Sequence, residues 1–507
     1  MKMLNKRVLK RYSFFKLALF SIFFLLVGNK LSAQAQVVPI QKQFFLPIER
    51  QALVAEQNNH LAFKPIIAKQ LPLADSLHSV LVPYFRIGNT PNKSFVNRKL
   101  FNDHLIQLDS NQVKLSIDAL VNLQFGQEER QDPRDISLYK NMRGFRMRLD
   151  LGSKLSIFSS FRENQANLPL YLSRRTRSNS MAYGQGRVKR FNDGFDFNMA
   201  SSRISYQAAD WLNLQLGHDK HFIGHGHRSM LLSDLSFNYP FARLQSSWFN
   251  GKLNYQNLFA IFQDIERVAT SSQSEGLFER KQGVFNYLSY TPNKKFQIGL
   301  FEGVIFPSLD SSGNIPVGAN FYFPMLFLNT AIEGNQRSGN TLAGIDLSYR
   351  MLKQVLLYGQ LTAFDEQLAN SSTQLGVKWF ANKELTFQFE HNRQAHQSSQ
   401  SLFHHLNESL THPTQESFSE LLVGVYFQRG RWLSRMVGNQ IETSDDRVQF
   451  VDFCQAYLLN PSNNFTINLG AQWRNSNQEV TFVRPQQESL YVYVGLSTNF
   501  QNLYFNY

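Results

Sequence analysis

The 507-residue chain holds a single cysteine, Cys454, so no disulfide can form within it and a disulfide-stapled secreted scaffold is excluded. None lies at the end of the N-terminal apolar stretch, which speaks against a lipid-anchored lipoprotein. Beyond Ala35, no apolar run approaches the about 20 residues that a spanning helix needs. A mean hydropathy of -0.31 is likewise too polar for a bundle of membrane helices. There is no blade-length repeat of the kind a propeller would show, and nothing resembles a nucleic-acid-binding module. No spacing selects a pair of catalytic carboxylates either.

The N-terminus carries a basic region of Lys2, Lys6, Arg7, Lys10, Arg11 and Lys16, an apolar stretch from Leu17 to Val27, and Ala33-Gln34-Ala35. This is the order of a secretory signal peptide spanning 1–35 and cleaved after Ala35; its apolar part is too short for a membrane anchor. Removing its seven Lys/Arg brings the formal charge from +14 to +7. A mildly basic mature chain suits an anionic partner, such as lipid headgroups or an acidic polysaccharide.

The rest of the chain alternates with period two. Phe465, Ile467, Leu469, Ala471 and Trp473 face away from Thr466, Asn468, Gly470, Gln472 and Arg474. Val113 to Phe125 repeats the pattern, with Leu120 as its exception, as do Phe145 to Leu151 and Leu385 to Phe389. One face suits lipid and the other water, the signature of a transmembrane barrel strand. The expected fold is all-β, a transmembrane antiparallel barrel of about 18 strands.

Tight turns are expected near Gly152-Ser153, Asn250-Gly251, Pro292-Asn293, Lys353, Asn382-Lys383, Arg429-Gly430 and Pro461-Ser462, where Gly, Asn and Pro supply the special backbone angles. Long loops are expected over 126–141, 163–198, 219–242, 265–282, 306–340 and 391–419. Short periplasmic turns and long external loops are the asymmetry that such barrels show, and an even strand count puts both termini in the periplasm. Residues 36–110, interrupted by six prolines, read as a periplasmic N-terminal extension or plug, and 111–507 as the barrel. The aromatic end, Leu503-Tyr504-Phe505-Asn506-Tyr507, suits barrel closure and the interfacial girdle.

Candidate chemistry concentrates in two loops. Arg174, Arg175, Arg177, Arg187, Lys189 and Arg190 are interleaved with Tyr171 and Tyr183. Guanidinium groups match carboxylate and phosphate oxygens, and aromatic faces stack on sugars, so these residues are the candidate polysaccharide site; lipopolysaccharide phosphates are the other expected partner. The second loop holds His218, His221, His225 and His227 among glycines, with Ser229 following. Without a rigid helix to converge the rings, no metal or other cofactor is expected, and loop histidines are expected to meet water. Ser229 has no evident base or orienting group, so no catalytic residues are expected and the chain reads as a non-enzyme. Arg146, Arg148, Asp150, Lys378, Glu384, Glu390 and Arg474 face the expected lumen, where they would either line a pore or neutralise one another.

The run Phe222-Ile223-Gly224-His225-Gly226-His227-Arg228-Ser229-Met230-Leu231-Leu232-Ser233-Asp234, followed by Asn238-Tyr239-Pro240, resembles the signature loop of the Wzi-like capsule-assembly family, closest to its gliding motility protein RemB branch. Arg143 to Ala166 and Arg98 to Ile106 resemble that branch too. Where the family pattern has an aromatic residue, Gly-Pro-Gly and then Asn-Ala, this chain has Ile223, His225 and Leu235-Ser236. The resemblance implies an 18-stranded outer-membrane barrel acting at the cell surface on capsular polysaccharide, in adhesion, or with gliding machinery. Gly224, His225, Gly226, His227, Arg228, Ser229, Ser233 and Asp234 are its signature residues. A channel for small solutes is the alternative.

Overall fold

The computed structural model describes residues 37–55, 60–68, 93–110, 112–129, 137–267, 277–310, 313–314, 323–328, 340–364, 367–395, 402–414, 416–477, 488–498 and 502–505. The signal segment and its cleavage site lie outside them. Eighteen antiparallel strands close into one barrel. They are β1 (Val113–Glu129), β2 (Leu138–Leu151), β3 (Leu155–Asn167), β4 (Gly194–Ala209), β5 (Leu212–Asp219), β6 (Tyr239–Trp248), β7 (Leu253–Arg267), β8 (Phe278–Tyr290) and β9 (Phe296–Asp310), followed by β10 (Asn340–Leu352), β11 (Val355–Phe364), β12 (Gln367–Phe380), β13 (Leu385–Gln394), β14 (Phe418–Arg429), β15 (Trp432–Thr443), β16 (Arg447–Asn460), β17 (Phe465–Ser476) and β18 (Glu488–Ser497). Strand β18 closes on β1, with Leu490 opposite Glu129 and Ser497 opposite Asn122.

All seven expected turns fall between strands, at one end of the barrel. An eighth, at Asp210-Trp211, carries no Gly, Pro or Asn to announce it. The other end holds the long connections, yet 444–446 is as short as a turn, which corrects the expected regular alternation of lengths. Both ends of the barrel sequence, Val113 and Ser497, lie at the turn end.

The alternation sets the two faces. Phe125, Phe145, Leu375, Phe389 and Leu469 point outward and are exposed, while Ser116, Asp118, Arg146, Arg148, Gln388 and Glu390 are buried inside. Leu120 obeys this geometry and breaks only the chemistry: it faces the lumen and is buried. Around the turn end runs a belt of outward aromatics, including Trp211 against Trp248 (4.9 Å) and Trp432 against Tyr457 (4.9 Å). Such rings favour a membrane-water interface.

One stretch of outer wall departs from this pattern. Asn257, Asn286 and Glu302 form a row across β7 to β9 on the outward face. Residues 323–328 lie over it: Phe327 N donates to Glu302 Oε2 (2.7 Å), and Asn286 Nδ2 donates to Met325 O (3.3 Å). Phe323, Met325 and Phe327 present apolar surface in place of the amides.

Among the described residues, segments from four parts of the chain fill the lumen. Helix α1 (Lys42–Ala55) buries Leu53 against Leu356 and Phe380. Residues 60–68 follow it, pairing Phe63 with Ile223 and Lys64 with Phe222. The 220–238 and 402–414 loops fold inward, and Phe63, Ile223, Leu231, Leu232, Phe403 and Leu410 share an apolar core with the inner faces of β6 to β11. Residues 502–505 join them. This corrects the expected role of the aromatic C-terminus in closure: Tyr504 is buried in the lumen, its hydroxyl donating to Asp234 Oδ1 (2.6 Å). Residues 506–507 lie outside the described residues.

Candidate functional site

The signature loop between β5 and β6 is the centre of the plug. Gly224 takes a φ of +127°, and a Cβ there would stand 2.4 Å from Gln360 Nε2; at Gly226 it would meet Gln374 Oε1 at 2.7 Å. Both glycines serve close approach of the loop backbone to the inner wall. The wall side chains then bind that backbone. Glu390 accepts from the amides of His227 (2.6 Å) and Arg228 (3.0 Å) and from the Tyr358 hydroxyl (2.9 Å), and Gln360 accepts from Met230 N (2.8 Å).

Loop side chains finish the network. Arg228 Nη2 lies 3.0 Å from Glu420 Oε1, and His412 Nε2 lies 2.8 Å from Glu420 Oε2. Ser229 Oγ donates to Ile223 O (2.5 Å) and accepts from the amides of Leu231 and Leu232. It is fully buried and holds a turn. Ser233 N donates to Leu410 O (2.7 Å), tying the two inward loops together. Asp234 also accepts from Asn502 (2.8 Å), which ties in the C-terminus.

Helix α1 is clamped from both sides. Glu49 contacts Lys378 Nζ at 2.5 Å and His225 Nδ1 at 3.1 Å, while Lys42 Nζ donates to His227 O (2.8 Å). Burial pushes the Glu49 carboxyl up, but Lys378 and His225 outweigh it and hold it well below the usual carboxylate range. His227 is held neutral, mainly by burial and further by Lys42 and Arg228. The expectation that the loop histidines meet water is therefore corrected for His221, His225 and His227, all buried. Their rings turn to different partners, Tyr239, Glu49 and Tyr426. Among the described residues, no three His, Cys, Asp or Glu side chains come together to hold a metal.

The expected lumen charges largely neutralise one another or serve the plug. Arg146 pairs with Asp118 (2.8 Å), Arg148 with Asp150 (3.3 Å) and Glu384 with Arg429 (3.8 Å). Arg474 lies over the Tyr171 ring, 5.2 Å from its centroid. A cavity of about 300 Å3 remains between the plug and the wall, lined among others by Arg50, Lys140, Arg435 and Gln472.

The arginine-rich loop, expected to act as one cluster, divides in two. Helix α3 (Leu170–Asn179) covers its first half. Tyr171 turns inward onto Phe450, and Tyr183 is buried with the Arg175 guanidinium over its ring at 4.8 Å. Gly184 is gripped on both sides, its amide donating to Glu408 Oε1 (2.6 Å) and its carbonyl accepting from Lys220 Nζ (2.7 Å). Arg174 is half-buried, whereas Arg177, Arg187, Lys189 and Arg190 are exposed. Arg187 stacks over Phe278, 4.5 Å from its centroid.

Glu49, His412 and Tyr504 carry no local signal of their role. Glu420 sits on the inward face of an alternating strand beside Asn392 and Asn439, the one pattern that marks it.

A closed 18-stranded barrel with an apolar outer face, an aromatic belt and a charged interior has the fold of an outer-membrane β-barrel. Among solved structures it is similar to Wzi of Escherichia coli, an outer membrane protein involved in group 1 capsule assembly and described as a carbohydrate binding β-barrel. The TM-score is 0.54, at 11% sequence identity over 90% of this chain and 98% of Wzi. Pseudomonas aeruginosa OpdK with vanillate gives a TM-score of 0.43, at 9% identity over 76% of this chain and 97% of OpdK. OccK9 (OpdG) of the same organism gives 0.43, at 11% identity over 76% and 97%. The likeness to Wzi is one of fold. No family model and no curated protein sequence matches the chain.

Proposed function

We propose that the protein is a non-enzymatic barrel of the outer membrane that binds or organises extracellular or capsular polysaccharide at its loop end, in capsule assembly, adhesion or gliding motility. The loop end faces the cell surface and meets lipopolysaccharide, and the turn end with both chain termini faces the periplasm. The RemB-like signature supports the motility arm of this reading. The carbohydrate-binding description of Wzi supports the polysaccharide arm.

The observation that carries the proposal is the built platform on the 168–193 loop. Arg177, Arg187, Lys189 and Arg190 stand exposed, while the same loop is pinned from beneath through Tyr183, Gly184, Glu408 and Lys220. A platform already ordered loses little freedom on binding. The refolded mature chain is expected to bind the cell's own acidic exopolysaccharide at physiological salt, where exposed charges alone are largely screened. Changing Arg177, Arg187, Lys189 and Arg190 together to Ala is expected to abolish that binding, and equal binding by the variant would overturn the site. A channel is the competing function; steady open conductance in planar bilayers would favour it over a plugged barrel.

A further inference from the structure

Residues 93–110 stand apart from the plug. Helix α2 (Phe95–Phe101) is capped by Ser94, whose hydroxyl accepts from Asn97 N, and it is pinned at its C-terminal end to the β16–β17 turn. Asn460 Nδ2 donates to Lys99 O and Asp103 O (both 3.0 Å), and Ser462 Oγ donates to Asn102 O (2.5 Å). Beyond it, His104 is buried against Asp118 (2.8 Å). Residues 106–109 then add a short strand to the free edge of β1 below the β18 pairing, with Ile106 opposite Ile117 and Leu108 opposite Leu115.

That register decides which way the segment faces. Residues directly opposite on neighbouring strands share a face, so Ile106 and Leu108 lie on the lipid-facing side with Ile117 and Leu115. The exposed apolar surface runs on from them. Phe95 (66%), Val96 (63%), Leu100, Phe101, Leu105, Ile106 (53%) and Leu108 are all open to the surroundings. Seven large apolar side chains exposed within one 14-residue stretch are far from the scattered singles of an ordinary surface. They stand at the turn end, where Trp432 and Tyr457 mark the belt. The polar groups of the helix suit the same boundary: Lys93 is exposed, and Lys99 folds its amine back to His104 O (2.8 Å) over the Phe95 ring.

We propose that residues 93–110 form an interfacial lipid-binding element, in which helix α2 lies in the headgroup region of the leaflet at the turn end and extends the barrel's lipid-facing surface. The occupant is the bilayer itself, because the apolar patch is continuous with the wall that the bilayer already covers. A short helix that exposes Phe95, Val96, Leu100 and Phe101 beside the basic Arg98 and Lys99 suits such an interface. It seals the seam where β18 stops short of the lower part of β1. The inference rests on the membrane location proposed above.

The test uses the full-length mature protein with Cys454→Ser, which leaves no other thiol. Val96→Cys, Leu105→Cys, Leu375→Cys and Lys189→Cys are made singly, labelled with an environment-sensitive nitrobenzoxadiazole probe, and reconstituted in phosphatidylcholine/phosphatidylglycerol vesicles. Probes at positions 96 and 105 are expected to emit to the blue of that at 189. Lipids spin-labelled near the headgroup should quench them more than lipids labelled at the chain end, and aqueous iodide should reach them several-fold less than position 189. Iodide access equal to position 189 without lipid quenching, while position 375 is quenched by lipid, overturns the lipid-binding element alone. Failure of lipid quenching at position 375 overturns the membrane location as well.

Discussion

Arg228 and Glu420 form an ion pair inside the barrel, with Nη2 3.0 Å from Oε1 and both side chains almost wholly shielded from solvent. The arginine belongs to a loop and the carboxylate to the wall, so the contact joins plug to barrel. Breaking such a pair by removing one partner leaves a buried charge and costs about 3–5 kcal/mol. Arg228→Met and Glu420→Leu are each expected to lower the thermal unfolding midpoint in detergent, and the double variant to be more stable than either single one. Additive losses in the double variant would show that the two residues act independently.

Glu49 makes the equivalent link for helix α1. Glu49→Ala leaves the Lys378 amine buried without its carboxylate and frees one turn of the helix from the wall. The expected outcome is easier proteolysis within 42–55 and a rise in single-channel conductance, with Glu49→Met/Lys378→Met reversing both. Unchanged conductance in Glu49→Ala would mean that α1 is not what blocks the lumen.

His405 supplies an acid-sensitive contact. Burial pushes its imidazole down to about 3, with Nδ1 accepting from Gln263 N (3.0 Å) and Nε2 donating to Asn238 O (3.1 Å). The unfolded chain takes up this proton near the ordinary value of 6.5, whereas the folded one does not until far lower. Its contribution to stability is thus present above 6.5 and is lost as pH falls from there toward about 3. The unfolding midpoint is expected to drop between pH 7 and pH 5, and His405→Asn, which has no proton to gain, is expected to drop less.

Glu302 and the 323–328 segment make a further prediction. The carboxylate is fully buried on an outward face and accepts from Phe327 N. Glu302→Ala removes that acceptor and is expected to release the segment, read as faster cleavage there by added protease on reconstituted vesicles. Cleavage at the wild-type rate would assign the anchoring to Tyr255, Asn257 and Asn286 instead.

The wall of this protein was legible because barrel strands are specified locally. Period two is a property of adjacent residues, and Gly, Asn and Pro mark turns by their own backbone preferences, so strand number and seven of eight turns could be read off directly. Even Leu120 fell on the correct face once its neighbours set the register.

The interior was not legible, for an equally physical reason. Loop residues 224–234 are bound by Gln360, Gln374, Glu390 and Glu420, between 130 and 192 positions further along the chain. Nothing in a glycine- and histidine-rich loop says whether its polar groups will be satisfied by water or by an inner wall that exists only after closure. The arginine-rich loop shows the same limit within twenty residues: Arg175 and Arg187 are chemically alike, yet one is packed on Tyr183 and the other stands at the surface over Phe278. Alternation along the chain determined that a barrel forms; packing across its lumen decided that it is filled, and which of its charges remain free to meet a partner.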